Sequence, residues 1–368
     1  MTITYRVAVI GHTGRGNYGH GLDSVWSAVP GVRIVGVADA DPQGLAKAVA
    51  RLKAPQGFAD YRQMLDQLKP DLVAVAPRWI DQHCDMVLAA VERGVRGIYL
   101  EKPFCRTPAE ADQIVAACHQ HQVRLALAHQ TRYSPRLQVV WDLIQSGVLG
   151  RIVEFRGRGK EDSRGGGEDL WVLGSHVLNL FHYLGGPPQW CSGRVLQQGR
   201  PIGPADARPG NEGIGPLAGD EVHAMYGLER GAVAYFDSVR RAGSQPPRFG
   251  LQIFGTQGVI DLSPGYLGPA FFLPDPTWSP GKSGKQWIPL TSAGLGKPEP
   301  LTDPGLHGGN LLAVRDLIDA VETCREPEAN MYEGYVTVEM ITAVFQSQCQ
   351  NRPVTFPLTS RENPLAKR

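Results

Sequence analysis

Through the first 130 residues, short apolar runs alternate with segments of helical spacing, and that alternation leaves few folds open. Runs at 6–10, 32–38, 72–76, 97–100 and 124–128 read as strands. Between them Leu22, Val25, Trp26 and Val29 recur on one helical face, as do Leu45, Val49 and Leu52, and then Met86, Val87, Ala90 and Val91; 109–121 completes the series. Strands this apolar are buried on both sides, which is the mark of a parallel sheet with helical crossovers over both faces.

After about residue 130 the rhythm changes. Helices are expected at 135–145, at 170–184 after Gly165-Gly166-Gly167, and near the end at 310–324 and 335–348. Strand-like runs at 152–158, 222–228, 232–239, 249–254, 259–262 and 354–357 are separated by short polar or Gly-containing turns. These patterns define an α/β fold class, with a parallel N-terminal domain at 1–128. A C-terminal α+β domain at 129–368 carries a mostly antiparallel sheet. Two Gly- and Pro-rich stretches, 199–219 and 263–309, read as long loops, and loops of that length inside a domain usually serve a site or an interface.

Composition removes several functions. With 37 basic and 36 acidic residues the formal charge is +1, which gives no footprint for nucleic acid. The longest apolar runs are far short of a membrane span, and Met1 leads into a strand without a signal-like segment, so the chain reads as cytoplasmic. The six cysteines show no C-x-x-C and no metal-ligand spacing, so reduced, mostly buried thiols are expected.

Gly11, His12, Thr13, Gly14, Arg15 and Gly16 follow the first strand. Glycines there let the backbone turn tightly and approach a diphosphate, and a following helix N-terminus would add free N–H groups. The spacing is looser than G-x-G-x-x-G. Asp39 ends the second strand, where a carboxylate accepts from ribose hydroxyls and repels a 2′-phosphate, so NAD is expected over NADP. Capping of the next helix is the plainer role for Asp39, and Asp41 would serve that equally well.

Residues 71–104 read DLVAVAPRWIDQHCDMVLAAVERGVRGIYLEKPF. A strand ending at Pro77, His83 in the next helix, an Ala-x-x-x-Gly run and Glu101-Lys102-Pro103 together resemble the glucose–fructose oxidoreductase / inositol dehydrogenase / MocA family. Arg132-Tyr133-Ser134-Pro135, residues 146–150 and Gly174-Ser175-His176 carry the resemblance downstream. The resemblance implies a Rossmann domain, NAD(P), and a sugar, cyclitol or related polyol as substrate. It implies that the C-terminal sheet is large and open, a homodimer or homotetramer through that sheet, and often a cis peptide before Pro103. It also places Glu101 and Lys102 beside the nicotinamide; Pro77, Arg78, Trp79 and His83, where the next helix opens near that edge, are further cofactor candidates, with ordinary packing as the equal alternative.

Oxidising an alcohol takes a hydride from carbon and a proton from oxygen, so a donor and a base are both needed. Lys102 is the expected donor to the oxygen and His176 the proton acceptor, with Asp169 a third catalytic candidate. One departure counts: the family's helix carries Asp four residues before the histidine, and here that residue is Val172; its usual Asp three residues after is Asn179. Arg132, Tyr133, Arg158, Lys160, Trp171 and Asn179 are candidates for binding substrate. Glu168, Asp169 and His176 match no metal-ligand spacing, so no metal is expected. Three activities stay open: net oxidation; a non-redox epimerase, lyase or glycosidase that keeps NAD and works through a transient ketone; and binding without catalysis.

Overall fold

The computed structural model describes residues 5–366. Two compact units divide the chain. The first runs through Gln130 and adds Asn211–Gly215 and Leu306–Val338; the second takes Thr131–Gly210, Pro216–Gly305 and the chain from Glu339 on.

The first unit is a six-stranded sheet of β1 (Tyr5–Ile10), β2 (Val32–Ala38), β3 (Gly57–Phe58), β4 (Leu72–Val75), β5 (Gly97–Leu100) and β6 (Arg124–Leu127). Their order is β3-β2-β1-β4-β5-β6 and every pair is parallel. This is the doubly wound dinucleotide-binding order. All four residues of β4 and all four of β5 are buried, as a sheet covered on both faces requires. Helices α1 (Pro42–Leu52), α2 (Tyr61–Leu68), α3 (His83–Glu92) and α4 (Pro108–Gln120) provide the crossovers. Their starts are set locally. Asp41, Asp60 and Thr107 each accept a backbone N–H of the first turn, and Pro42 and Pro108 occupy the position where a missing N–H costs nothing. The later helix Leu306–Thr323 lies over β5, where a side chain at Gly97 would run into Leu72, Val321 and Leu317.

The expected helix after β1 does not form. Gly14, Gly16, Asn17, Gly19 and Gly21 all have positive φ, which a right-handed helix excludes, and Pro30 follows soon after. Only the single 3-10 turn Val25–Ala28 remains, held by the fully buried Trp26, whose Nε1 donates to Leu22 O at 2.8 Å. Residues 12–17 instead form a small hairpin bridged between His12 and Asn17.

The second unit is built on an eleven-stranded sheet among the described residues. Its order is Gly294–Leu295, Ile288–Thr291, Ala270–Leu273, Val259–Leu262, Gly250–Gly255, Ile152–Arg158, Val233–Val239, Glu221–Leu228, Pro188–Gln197 and Val354–Thr355, with Arg200–Pro201 folded back on Pro188–Gln197. Only the pair Ile152–Arg158 with Val233–Val239 is parallel. The stretch 263–309, expected as a loop, supplies three of these strands. The expected helix at 170–184 is broken at Leu173 into Gly167–Val172 and Gly174–Gly185. The helix side of the sheet is packed: Phe155 meets Phe181 at 5.9 Å, and a Cβ on Gly157 would lie 2.3 Å from Val177 Cγ1.

Candidate active site

The cofactor candidates lie along the C-terminal edge of the first unit's sheet, since Gly11 follows β1, Asp39 follows β2, Pro77 follows β4 and Glu101 follows β5. That edge is where ligands sit in open parallel sheets. A cavity of about 200 Å³ opens there, lined among others by Gly11, His12, Asp39, Ala40, Tyr61 and Arg62.

Asp41, not Asp39, caps α1. Asp39 is buried and takes four donors: Thr13 N at 3.0 and 3.1 Å, Thr13 Oγ1 at 2.7 Å, Tyr18 Oη at 2.8 Å and Asp41 N at 3.0 Å. Burial raises its pKa, but the hydrogen bonds from Thr13, Asp41 and Tyr18 outweigh it and hold the carboxyl below its ordinary value. A carboxylate has about four acceptor positions, so ribose hydroxyls reach Asp39 only by exchanging with Thr13 or Tyr18. The Tyr18 ring also lies on Gly11, where a Cβ would stand 2.1 Å from it. Beside Gly14 nothing lies within 4 Å, and the Arg15 Nε is buried with no hydrogen-bond partner, so these two residues are the candidates for a diphosphate. The uncrowded side of Gly14, whose N–H is held by Asn17 Oδ1 at 3.1 Å, the orphan donor on Arg15 and the cavity beside Asp39 fit a dinucleotide.

Arg15 pairs with Asp81 and stacks over Trp79 at 4.9 Å. Gly16 is locked against the turn after β4: its Cβ would sit 2.4 Å from Arg78 N, and Arg78 N donates to its carbonyl at 3.2 Å. His12 Nδ1 lies 2.8 Å from Gln82 Oε1. Asn211–Gly215 also packs here, and a Cβ on Gly213 would be 2.6 Å from Asp81 Oδ1.

His83 is wholly buried, with Nε2 2.7 Å from Pro77 O and Nδ1 3.0 Å from Pro103 O. It ties the ends of β4 and β5 together and has no surface left for the cofactor, which corrects its expected role. Burial lowers its pKa. The Lys102–Pro103 peptide is cis, and both Glu101 and Lys102 are buried.

In the second unit His176 sits half-buried in the first turn of Gly174–Gly185, its ring edge-on to Phe249 at 6.4 Å. Several companions do not join it. Asp169 is fully buried, accepting from Ser238 Oγ at 2.6 Å, Glu161 N at 3.0 Å and Lys160 N at 3.3 Å, so it clamps the turn at 159–161 and is not placed for catalysis. Trp171 is 3 % exposed and offers no face to a sugar; Asn179 is buried as well. Arg158 alternates with Gly157 and so projects from the sheet face opposite the helix, where it pairs with Glu161 at 2.8 Å. Lys160 and Tyr133 are half-buried, and Arg132 stacks over Tyr183 at 3.7 Å. Sequence reasoning missed Tyr18, His20, Asp81 and Asn310. Only the dense glycines around the first two hinted that neighbouring side chains had close backbone to fill.

Residues 5–129 match the model described as an oxidoreductase family with an NAD-binding Rossmann fold, and 142–356 match that family's C-terminal alpha/beta domain. The chain belongs to the Gfo/Idh/MocA oxidoreductase family. A levoglucosan dehydrogenase of Pseudarthrobacter phenanthrenivorans is 27 % identical over 249 residues, 61 % of this chain and 63 % of that protein, so the match spans under two thirds of the relative. A 2,7-anhydro-N-acetylneuraminate hydratase of Mediterraneibacter gnavus is 26 % identical over 218 residues, 52 % of this chain and 54 % of that one. The solved levoglucosan dehydrogenase complex with NADH and L-sorbose has the same fold, with a TM-score of 0.77 and 20 % identity over 97 % of this chain and 100 % of that one. Among the described residues no three His, Cys, Asp or Glu are grouped to hold a metal, and no helix is long and apolar enough to cross a membrane.

Proposed function

We propose that this protein is an NAD-dependent dehydrogenase acting on a hydroxyl of a sugar, cyclitol or related polyol. The observation that carries the reading is the buried Glu101-Lys102 pair at the end of β5, on the same sheet edge as Asp39. When bound, the dinucleotide supplies the hydride acceptor. Asp39 binds the adenosine ribose, and Gly14 and Arg15 hold the diphosphate. Lys102 donates a hydrogen bond to the substrate oxygen and stabilises the alkoxide, and His176 receives the hydroxyl proton. The carbon–hydrogen pair leaves as hydride, so the alcohol becomes a ketone with one proton released. Arg132, Tyr133 and Lys160 remain candidates for the other hydroxyls, and the polyol is the expected partner.

The test is NADH absorbance during incubation with a panel of anhydrosugars, pentoses and inositols. Lys102→Ala should lower kcat/KM by about a hundred- to a thousandfold, the usual range for losing an electrostatic donor in a dry site. His176→Ala should lower kcat by about a hundredfold, within the range of a lost general base.

A second reading is favoured by one observation: Val172 stands where a carboxylate would support His176, and Val172 is itself buried. A transient ketone then serves to acidify a neighbouring C–H, as an epimerase or a lyase requires, with the dinucleotide returned unchanged. Product formed without any net change in nicotinamide absorbance selects it. Protein that binds NAD and leaves the whole panel untouched would instead be a sensor.

A further inference from the structure

A carboxylate removed from water has to be matched by donors or opposite charge. Glu101 is 0 % exposed, and three donors reach it. His20 N and His20 Nδ1 both approach Oε2 at 3.1 Å, and Lys102 N approaches Oε1 at 3.1 Å. An ionised carboxylate only accepts, so the His20 ring carries its proton on Nδ1 when neutral.

His20 is itself held on the other side. Its carbonyl accepts from Asn310 Nδ2 at 2.9 Å, and the buried Asn310 Oδ1 accepts from Tyr99 Oη at 2.8 Å and Gln130 Nε2 at 3.1 Å. Gly19, with φ +61°, makes the approach possible, because a Cβ there would lie 2.5 Å from Glu101 Oε2 and from Ala76 O. The charged or titratable groups acting on Glu101 are His20 and Lys102, with His83 also within its field; Asn310, Tyr99 and Gln130 contribute neutral groups. Burial alone would raise the Glu101 pKa. The His20 hydrogen bonds and the charges of His20 and Lys102 reverse that and hold it below the usual carboxylate value.

We propose that His20 is a positioning residue for Lys102: its two donors keep Glu101 ionised and aimed, and Glu101 keeps Lys102 in the ammonium form that donates to the substrate oxygen. The proposal deepens the reading of Lys102 given above and rests on it. Without the ring donor the buried carboxylate is under-solvated. A proton then passes from the Lys102 ammonium to Glu101, leaving a neutral acid beside a neutral amine, with no other bond changed.

The test is acetylation of Lys102 by acetic anhydride across pH, read by peptide mass spectrometry on the full chain. Wild type is compared with Glu101→Gln, His20→Ala and His20→Asn, with Lys102→Arg as the unlabelled control. Glu101→Gln and His20→Ala should lower the labelling midpoint by about one pH unit, which is about tenfold more label at a pH below both midpoints. His20→Asn should restore the wild-type midpoint, since its amide N–H replaces Nδ1–H. Should His20→Ala not fold, His20→Phe keeps ring volume without the donor. Midpoints that coincide in wild type and the His20 variants, with labelling altered by one factor at every pH, would make His20 merely structural and overturn the proposal. The measurement needs no substrate, so failure of turnover on every sugar would sink the dehydrogenase reading and leave this one decided on its own result.

Discussion

At the scale of single residues, the structure separates carboxylates that hold the fold from those open to exchange. Asp169 is buried and accepts from one hydroxyl and two backbone N–H groups. Removing it leaves those three donors stranded, at a cost of about 1–3 kcal/mol each and so about 3 kcal/mol or more in total. Asp169→Ala should therefore lower Tm clearly while kcat, measured on protein still folded, stays within about threefold of wild type; a large selective loss of kcat would return Asp169 to the reacting centre. Asp39 differs, because two of its donors are side-chain hydroxyls. On the proposed ribose role of Asp39, Tyr18→Phe deletes a competing hydroxyl, so NAD affinity should rise severalfold by calorimetry, up to about tenfold or 1.4 kcal/mol. An unchanged or weaker Kd would show that Tyr18 does not compete.

At the scale of elements, the parallel strands and most of the helices were legible because their signals are local: apolar runs set β4 and β5, and Asp41, Asp60 and Thr107 cap the helices that start beside them. The segment after β1 misled for the same reason. Leu22, Val25, Trp26 and Val29 have helical spacing, but Trp26 and Leu22 are buried by packing within a turn, and five positive-φ residues precede them. Arg158, Trp171 and Asp169 looked available because side-chain type was visible, while the facing of the strand Ile152–Arg158 and the burial of the helix Gly167–Val172 were not. Two glycines test the loop directly. Gly14 and Gly16 share positive φ, so either substitution by Ala costs about 1–2 kcal/mol in backbone strain. Only Gly16→Ala also strikes backbone, at Arg78 N. It should weaken NAD by at least about tenfold more than Gly14→Ala does; equal losses would mean that the contact with the turn after β4 does not matter for binding.

For the whole molecule, acid stability is set by buried groups. His83 has a lowered pKa in the folded state, so between that value and about 6.5 the unfolded chain binds more protons and stability falls as pH falls. Glu101 and Asp39, also lowered, add loss below about pH 4.5, as pH drops toward their folded values. His223 runs the other way. Burial lowers its pKa, but Glu221 and Asp237 raise it further, so its contribution is lost as pH climbs above about 6.5. Its side chain is 42 % exposed, so solvent damps that limb. Thermal melts should show Tm falling from about pH 6.5 downward and steepening near pH 4; a Tm flat between pH 7 and 5 would remove His83 from the account.

The first unit also draws on Leu306–Val338, whose helix covers β5. On a ribosome, roughly 180 residues separate Gln130 from that helix, about ten to forty seconds of synthesis at ordinary rates. The nascent N-terminal sheet therefore lacks its cover over β5 until Leu306–Thr323 has been made.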